Sequence, residues 1–274
     1  MNRYFWGLLL CCLLSLPAWA HGVTTEQIKR LTEQIKAAPD QADLYLRRGE
    51  LHRQLSNAKA ALEDFDTVQK LAPERIEIDV YRARLYLDAK MPEMAQFVLD
   101  RYLKLRPQHN EAILMRARAN AQLGARTQAI QDYTTALSRL ANPQPELFLT
   151  RAQLQIEARL DDAALRGLDE GIAKLGALVT LQLLAVEIEV KRQRWDAALA
   201  RLETVAAQSP RKENWLVQRA EILLSAQRPA AAQEALSAAH QAIAALPDHL
   251  RRTQAIVMLE AKAAHLLKQT AATR

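Results

Sequence analysis

The residues able to do chemistry are few and far apart. The six histidines, His21, His52, His109, His240, His249 and His265, are scattered, and no two have the spacing that puts a pair of imidazoles on one metal ion. Both cysteines, Cys11 and Cys12, lie within the first twenty residues, so the rest of the chain offers no thiol nucleophile. None of the seven glycines forms a phosphate-cradling loop. Asp161-Asp162 is a possible carboxylate pair, but its place at a turn between two helical patterns gives it the expected role of a helix N-cap. If the chain is cut after Ala20, His21 becomes the terminus, where amine and imidazole together could hold copper. With no second side-chain ligand in view, that site is not assigned. The expectation is a protein with no catalytic residues, no metal and no cofactor.

The N-terminus is a segment apart. Arg3 precedes an apolar run from Tyr4 to Leu16, followed by Pro17-Ala18-Trp19-Ala20. A charged start, a hydrophobic stretch and small residues before the break predict a signal peptide over residues 1–20, cut after Ala20. The run is short for a membrane span, although retention as an anchor is the alternative. Retention would make the protein a membrane-anchored assembly factor, with an accessory subunit of an envelope enzyme complex as a further reading. A lipoprotein site is disfavoured, because Leu10 and Cys11 stand where a small residue is wanted before Cys11 and Cys12. Cleavage removes both cysteines, so the mature chain has no disulfide, and the formal charge falls from +6 to +5 with the loss of Arg3. The expected location is the periplasm. There this excess allows only weak attraction to acidic proteins or lipid head groups.

What remains is periodic. The chain is half apolar with abundant Ala and Leu, which favours helix. In the segment from Ala42, the series Tyr45, Gly49, His52, Ala61, Phe65, Val68, Pro73 returns 34 residues later as Asp79, Ala83, Tyr86, Ala95, Leu99, Tyr102, Pro107. The frame is best followed through one alanine at Ala61, Ala95, Ala129, Ala164, Ala198 and Ala232, with steps of 34, 34, 35, 34 and 34. Twelve residues earlier stands a second small position: Gly49, Ala83, Ala117, Ala152, Val186 and Ala220. Four residues after each alanine comes a large one: Phe65, Leu99, Tyr133, Leu168, Leu202 and Leu236. Two helices approach closely only where neither presents bulk at the crossing, so the small pair marks the contact and the large residue fills the space beside it.

This pattern resembles the tetratricopeptide repeat family, whose unit is a 34-residue helix–turn–helix. The resemblance covers six units over residues 42–245, and it implies an all-α, right-handed superhelical solenoid with helical caps. Residues 21–39, carrying Ile28, Leu31 and Ile35 behind a Thr24 or Thr25 cap, are expected to form a capping half-repeat. Residues 248–269 are expected to close the other end as one helix capped by Asp248. The glycine of the first helix survives only at Gly49, and unit four stops on Gly176 instead of a proline.

The resemblance also implies that first helices line a groove. Counted from unit starts at residues 42, 76, 110, 145, 179 and 213, place 5 reads Leu46, Val80, Leu114, Leu149, Leu183, Val217. Place 12 reads Arg53, Leu87, Ala121, Ile156, Val190, Leu224 and is the better candidate for burial between neighbouring helices. Between them, place 9 reads Glu50, Arg84, Arg118, Gln153, Glu187, Glu221, basic early and acidic late. A peptide segment of a partner protein is the expected occupant, with apolar rows for affinity and charges for direction. The Lys and Asn set of the family's carboxylate clamps is missing from these places. A row at place 7, Arg48, Arg82, Arg116, Arg151 and Arg219, is expected to serve structure and not nucleic acid. Arg48–Asp64 and Arg116–Asp132 recur sixteen residues apart and would pair as exposed ion pairs.

Overall fold

The computed structural model describes residues 18–272. Residues 1–17, most of the expected signal peptide, lie outside the described residues, and the first helix begins at Ala18 and runs through the expected cut after Ala20. Every regular element described is an α-helix. The chain divides into two compact units, Met1–Ala125 and Arg126–Arg274.

The first unit holds α1 (Ala18–Ala37), α2 (Ala42–Gln54), α3 (Ala58–Leu71), α4 (Ile78–Asp88), α5 (Pro92–Leu105) and α6 (Asn110–Gln122). Each packs on the next, with α2–α3 and α4–α5 as the closest pairs. The second unit runs through α7 (Arg126–Arg139), α8 (Pro145–Glu157), α9 (Asp161–Leu175), α10 (Val179–Lys191), α11 (Trp195–Gln208), α12 (Glu213–Ser225) and α13 (Pro229–Ala244). It ends in α14 (Asp248–Arg251) and α15 (Gln254–Ala272). Here α8–α9, α10–α11 and α12–α13 form hairpins, and α15 packs on α13 and α12. Pro92 and Pro229 open their helices, where a missing N–H costs nothing.

The small and large positions are buried as their spacing requires. All six tracking alanines are wholly inaccessible, and the large partners are buried from Phe65 to Leu236. Gly49 shows why one unit needs a glycine. A Cβ there would lie 2.6 Å from Cε1 of Phe65, whose ring is fully buried and has nowhere to turn.

The turns carry a period of their own. Ser56, Lys90, Gly124, Arg159, Gln193 and Gln227 all have left-handed φ between 56° and 73°. Each first helix ends in the same two bonds: the N–H of the left-handed residue donates to the carbonyl three back, and the next N–H donates to the carbonyl five back. Examples are Ser56 to Arg53 with Asn57 to His52, and Gln227 to Leu224 with Arg228 to Leu223. This is a Schellman cap, which satisfies carbonyls a helix end would otherwise orphan. A Cβ in this conformation costs roughly 1–2 kcal/mol, yet five of the six positions are not glycine. Lys90→Gly and Gln193→Gly are each expected to raise stability by about 1 kcal/mol, and Gly124→Ala to lower it by a similar amount. Urea unfolding with equal midpoints for all three would show that the turns relax out of this conformation.

Three expectations are corrected. Thr24 and Thr25 lie inside α1, which begins at Ala18, so neither is its N-cap. Asp161 and Asp162 are the first residues of α9 and not its cap, which is Leu160. The Arg192 guanidinium beside Asp162 holds that carboxyl below its ordinary range. Residues 248–269 are divided between α14 and α15, with a break at Arg252-Thr253.

Candidate functional site

Of the two apolar rows, place 5 is the more buried. Leu46, Val80 and Val217 are core residues, whereas Leu114, Leu149 and Leu183 are half-buried. All six residues of place 12 are half-buried, so the ranking anticipated from sequence is reversed. The rows still converge on two hollows, one in each unit.

In the first unit a hollow of about 480 Å³ opens between α1, α2 and α4. Leu31, Leu46 and Leu51 form its floor, Tyr81 a wall, and Arg30, Arg47 and Glu50 its rim. Glu50 is engaged by the Arg53 Nε at 3.2 Å, and Arg53 also reaches Asp88. Burial works against the Arg53 charge, but hydrogen bonds to Glu50 and Asp88 outweigh it and raise its pKa. Arg47 is exposed and makes no ion pair among the described residues. Arg84, placed in this row from sequence, is taken up locally: it donates to Glu111 at 2.6 Å and stacks 5.2 Å from the Tyr81 ring. Arg118 is exposed on α6.

In the second unit a hollow of about 330 Å³ lies between α10, α12 and α15. Leu183, Val186, Val190 and Ile222 supply its apolar surface. Glu221 accepts a bond from Lys262 of α15 at 2.8 Å. Glu187, one repeat earlier at the same place, is exposed and makes no ion pair among the described residues, Lys262 of the same hollow being engaged by Glu221. Leu149 and Gln153 lie on α8 away from this hollow, and Gln153 bonds Glu157. Sequence reasoning missed Arg47, because place 6 was outside the rows considered. Lys262 gave no signal at all, since its role depends on how α15 folds back.

The arginines of place 7 are structural, with one exception. Arg48 grips Asp64 through two bonds of 2.6 and 3.0 Å, and the pair is not exposed: the Asp64 side chain is 4 % accessible. Arg82 bonds Asp66, Arg116 bonds Asp100, and buried Arg151 bonds both the Gly167 carbonyl and Glu170. Arg219 has no such partner among the described residues.

Among the described residues, no group of three His, Cys, Asp or Glu side chains is placed to hold a metal ion. No described helix is long and apolar enough to cross a membrane.

Residues 42–75, the first unit of the repeat frame, match the tetratricopeptide repeat family. No curated protein matches the chain. Among solved structures, the chain is similar to a tetratricopeptide repeat protein from Parabacteroides merdae, with a TM-score of 0.53 and 20% identity over 92% of this chain and 94% of that one. It is also similar to the C-terminal part of a repeat-containing protein from Cytophaga hutchinsonii, with a TM-score of 0.65 and 13% identity over 88% and 96%. A third likeness is to the Naa15/Naa10 assembly bound to HypK-THB, with a TM-score of 0.54 and 17% identity, covering 92% of this chain but 44% of that one. At these identities the likeness is one of fold: α-helices paired as tetratricopeptide-type helix–turn–helix repeats.

Proposed function

We propose that this chain is a non-enzymatic scaffold that holds a peptide segment of a partner protein, and that its second unit selects a basic side chain flanked by apolar ones. The observation that carries this is Glu187, an exposed carboxylate that makes no ion pair among the described residues and lines one hollow with Leu183, Val190 and Ile222. An uncompensated charge beside half-buried apolar surface disfavours water-only contact and favours a ligand that is apolar and cationic together. Lys262 on Glu221 displays the same chemistry within the chain. In the first unit the free charge is Arg47, of opposite sign, so an acidic residue suits that hollow.

The test uses a short labelled peptide with one lysine between leucines, and the same peptide with glutamate in its place. The lysine peptide is expected to bind about tenfold tighter by fluorescence anisotropy, a difference of about 1.4 kcal/mol. Glu187→Lys is expected to invert the preference while leaving the melting temperature unchanged. Equal binding of both peptides would defeat the selection of a basic residue.

The sequence of residues 1–20 supports export as the route by which the scaffold meets its partner, with retention of that segment as a membrane anchor the second reading. Terminal sequencing distinguishes them: a chain beginning at His21 is the exported form, and one that keeps residues 1–20 in the membrane fraction after a high-salt wash is the anchored form.

A further inference from the structure

A second cavity in the Arg126–Arg274 unit has a chemistry the groove reading does not use. It encloses about 200 Å³ between α11 and α12. From α12 and its N-cap come Lys212, Trp215, Leu216 and Arg219, whereas the peptide hollow takes Gln218, Glu221, Ile222 and Ser225. At 100° per residue the two stripes lie about 120° apart around the helix, so they are separate faces.

The walls are apolar. Leu202 and Ala206 come from α11, and Trp215 stands against them, fixed by packing on the core cluster of Val186, Ala198, Leu202 and Ile222. The rim is charged and unbalanced. Lys212 and Arg219 both line the cavity, and neither has a carboxylate within ion-pair distance among the described residues. One anion, Glu203, shares the rim, also without a partner. The condition of Arg219 is unusual for its place in the repeat. Arg48, Arg82, Arg116 and Arg151 each bond a carboxylate from a neighbouring helix. Sixteen residues after Arg219 stands Ala235, where the first unit has Asp64 after Arg48. Sixteen residues before Arg219, where Arg82 and Arg116 find Asp66 and Asp100, stands Glu203. Glu203 lines the same cavity but is not within ion-pair distance, so the arginine's charge is left beside a tryptophan-walled cavity.

We infer that this cavity binds a small apolar carboxylate anion, its hydrocarbon body against Trp215 and Leu202 and its head group between Lys212 and Arg219. Ordinary ligand pockets run from about 300 to 1,000 Å³, so this smaller one suits a short acyl or single-ring acid and not a larger cofactor. Two cations against one anion choose the sign of the head group, and Glu203 pushes that head towards the α12 side.

The experiment uses the protein purified from its full coding sequence, with octanoate, octanol and octylamine as probes, read by titration calorimetry and tryptophan fluorescence. Octanoate is expected to bind saturably, and octanol and octylamine at least tenfold more weakly. Lys212→Gln with Arg219→Gln is expected to remove the preference for octanoate over octanol, and Glu203→Gln to tighten octanoate several-fold. Because these three side chains are on the rim, circular dichroism melts should match the parent. Trp215→Phe should abolish the fluorescence change while leaving calorimetric binding. The inference is overturned if octanol binds as well as octanoate, if the double variant keeps its preference, or if no saturable binding occurs. A leucine-ending peptide with a free carboxylate that outcompetes octanoate, while its amide does not, would overturn the assignment to a free acid.

Discussion

Phe148→Ala is expected to lower the unfolding free energy of the second unit by about 3–5 kcal/mol, the range for removing a large aromatic from a core that cannot collapse. Phe148 is fully inaccessible and lies in one cluster with Leu137, Leu165, Leu168 and Leu181. Its neighbours are held from several helices at once, so none can slide into the space. The ring packs so closely on α9 that a Cβ at Gly171 would come within 2.9 Å of its Cγ. It also supports a buried cation: the Arg151 guanidinium carbon sits 5.5 Å from the ring centre, and Arg151 is 3 % accessible. Truncation therefore opens a void and strips one face from a charge already short of partners, since its Nε has none. Guanidinium unfolding followed through Trp195 and Trp215, both in this unit, measures the loss. A change below about 1.5 kcal/mol would mean that the helices close over the cavity.

That core was legible in outline before any coordinates. Small residues at Ala152 and Ala164 and a large one at Leu168 are buried where α8 and α9 pack together, because a close crossing tolerates few side chains. The turns were not legible. Their left-handed residues are Ser, Lys, Gly, Arg, Gln and Gln, and only Gly124 announces the conformation. Geometry imposed by two fixed helices overrides the local preference of the residue between them. The candidate site was half legible for a related reason. Place 9 fixes which charges face outward, but whether a charge is free depends on segments remote in sequence. Glu221 is satisfied by Lys262 from α15, whereas Glu187, identical in register, is not. Arg84 looked available from its spacing and is committed to Glu111 of the next repeat. Period predicts faces; only packing decides which groups on a face remain unpaired.

The same distinction gives the second large effect. Arg48–Asp64 was anticipated by spacing as a surface pair, worth little, and the structure makes it an interior one. Asp64 is 3 % accessible on α3, and Arg48 of α2 also donates to Thr32 of α1 at 3.1 Å, so one guanidinium ties three helices. Arg48→Met keeps most of the stem but leaves the carboxylate buried without its counter-charge, a loss of about 3–5 kcal/mol at neutral pH. Arg48→Met with Asp64→Leu should recover most of it, because an apolar pair of similar volume needs no compensation. His52 supplies a pH signature that separates charge from packing. Its pKa lies below the ordinary 6.5, chiefly from burial, with Asp64 pulling it up and Arg48 pushing it down. A folded pKa below the unfolded one means that His52 contributes stability above about pH 6.5, lost as the pH falls and the imidazole must charge. Without Arg48 the downward push is gone and the pull of Asp64 remains. His52 should then titrate at higher pH by NMR, and its protonated ring should partly replace the missing guanidinium. The stability deficit of Arg48→Met is accordingly expected to be smaller at pH 5 than at pH 8. A deficit independent of pH, with the His52 titration unmoved, would show that the arginine acts through its packing and not through its charge.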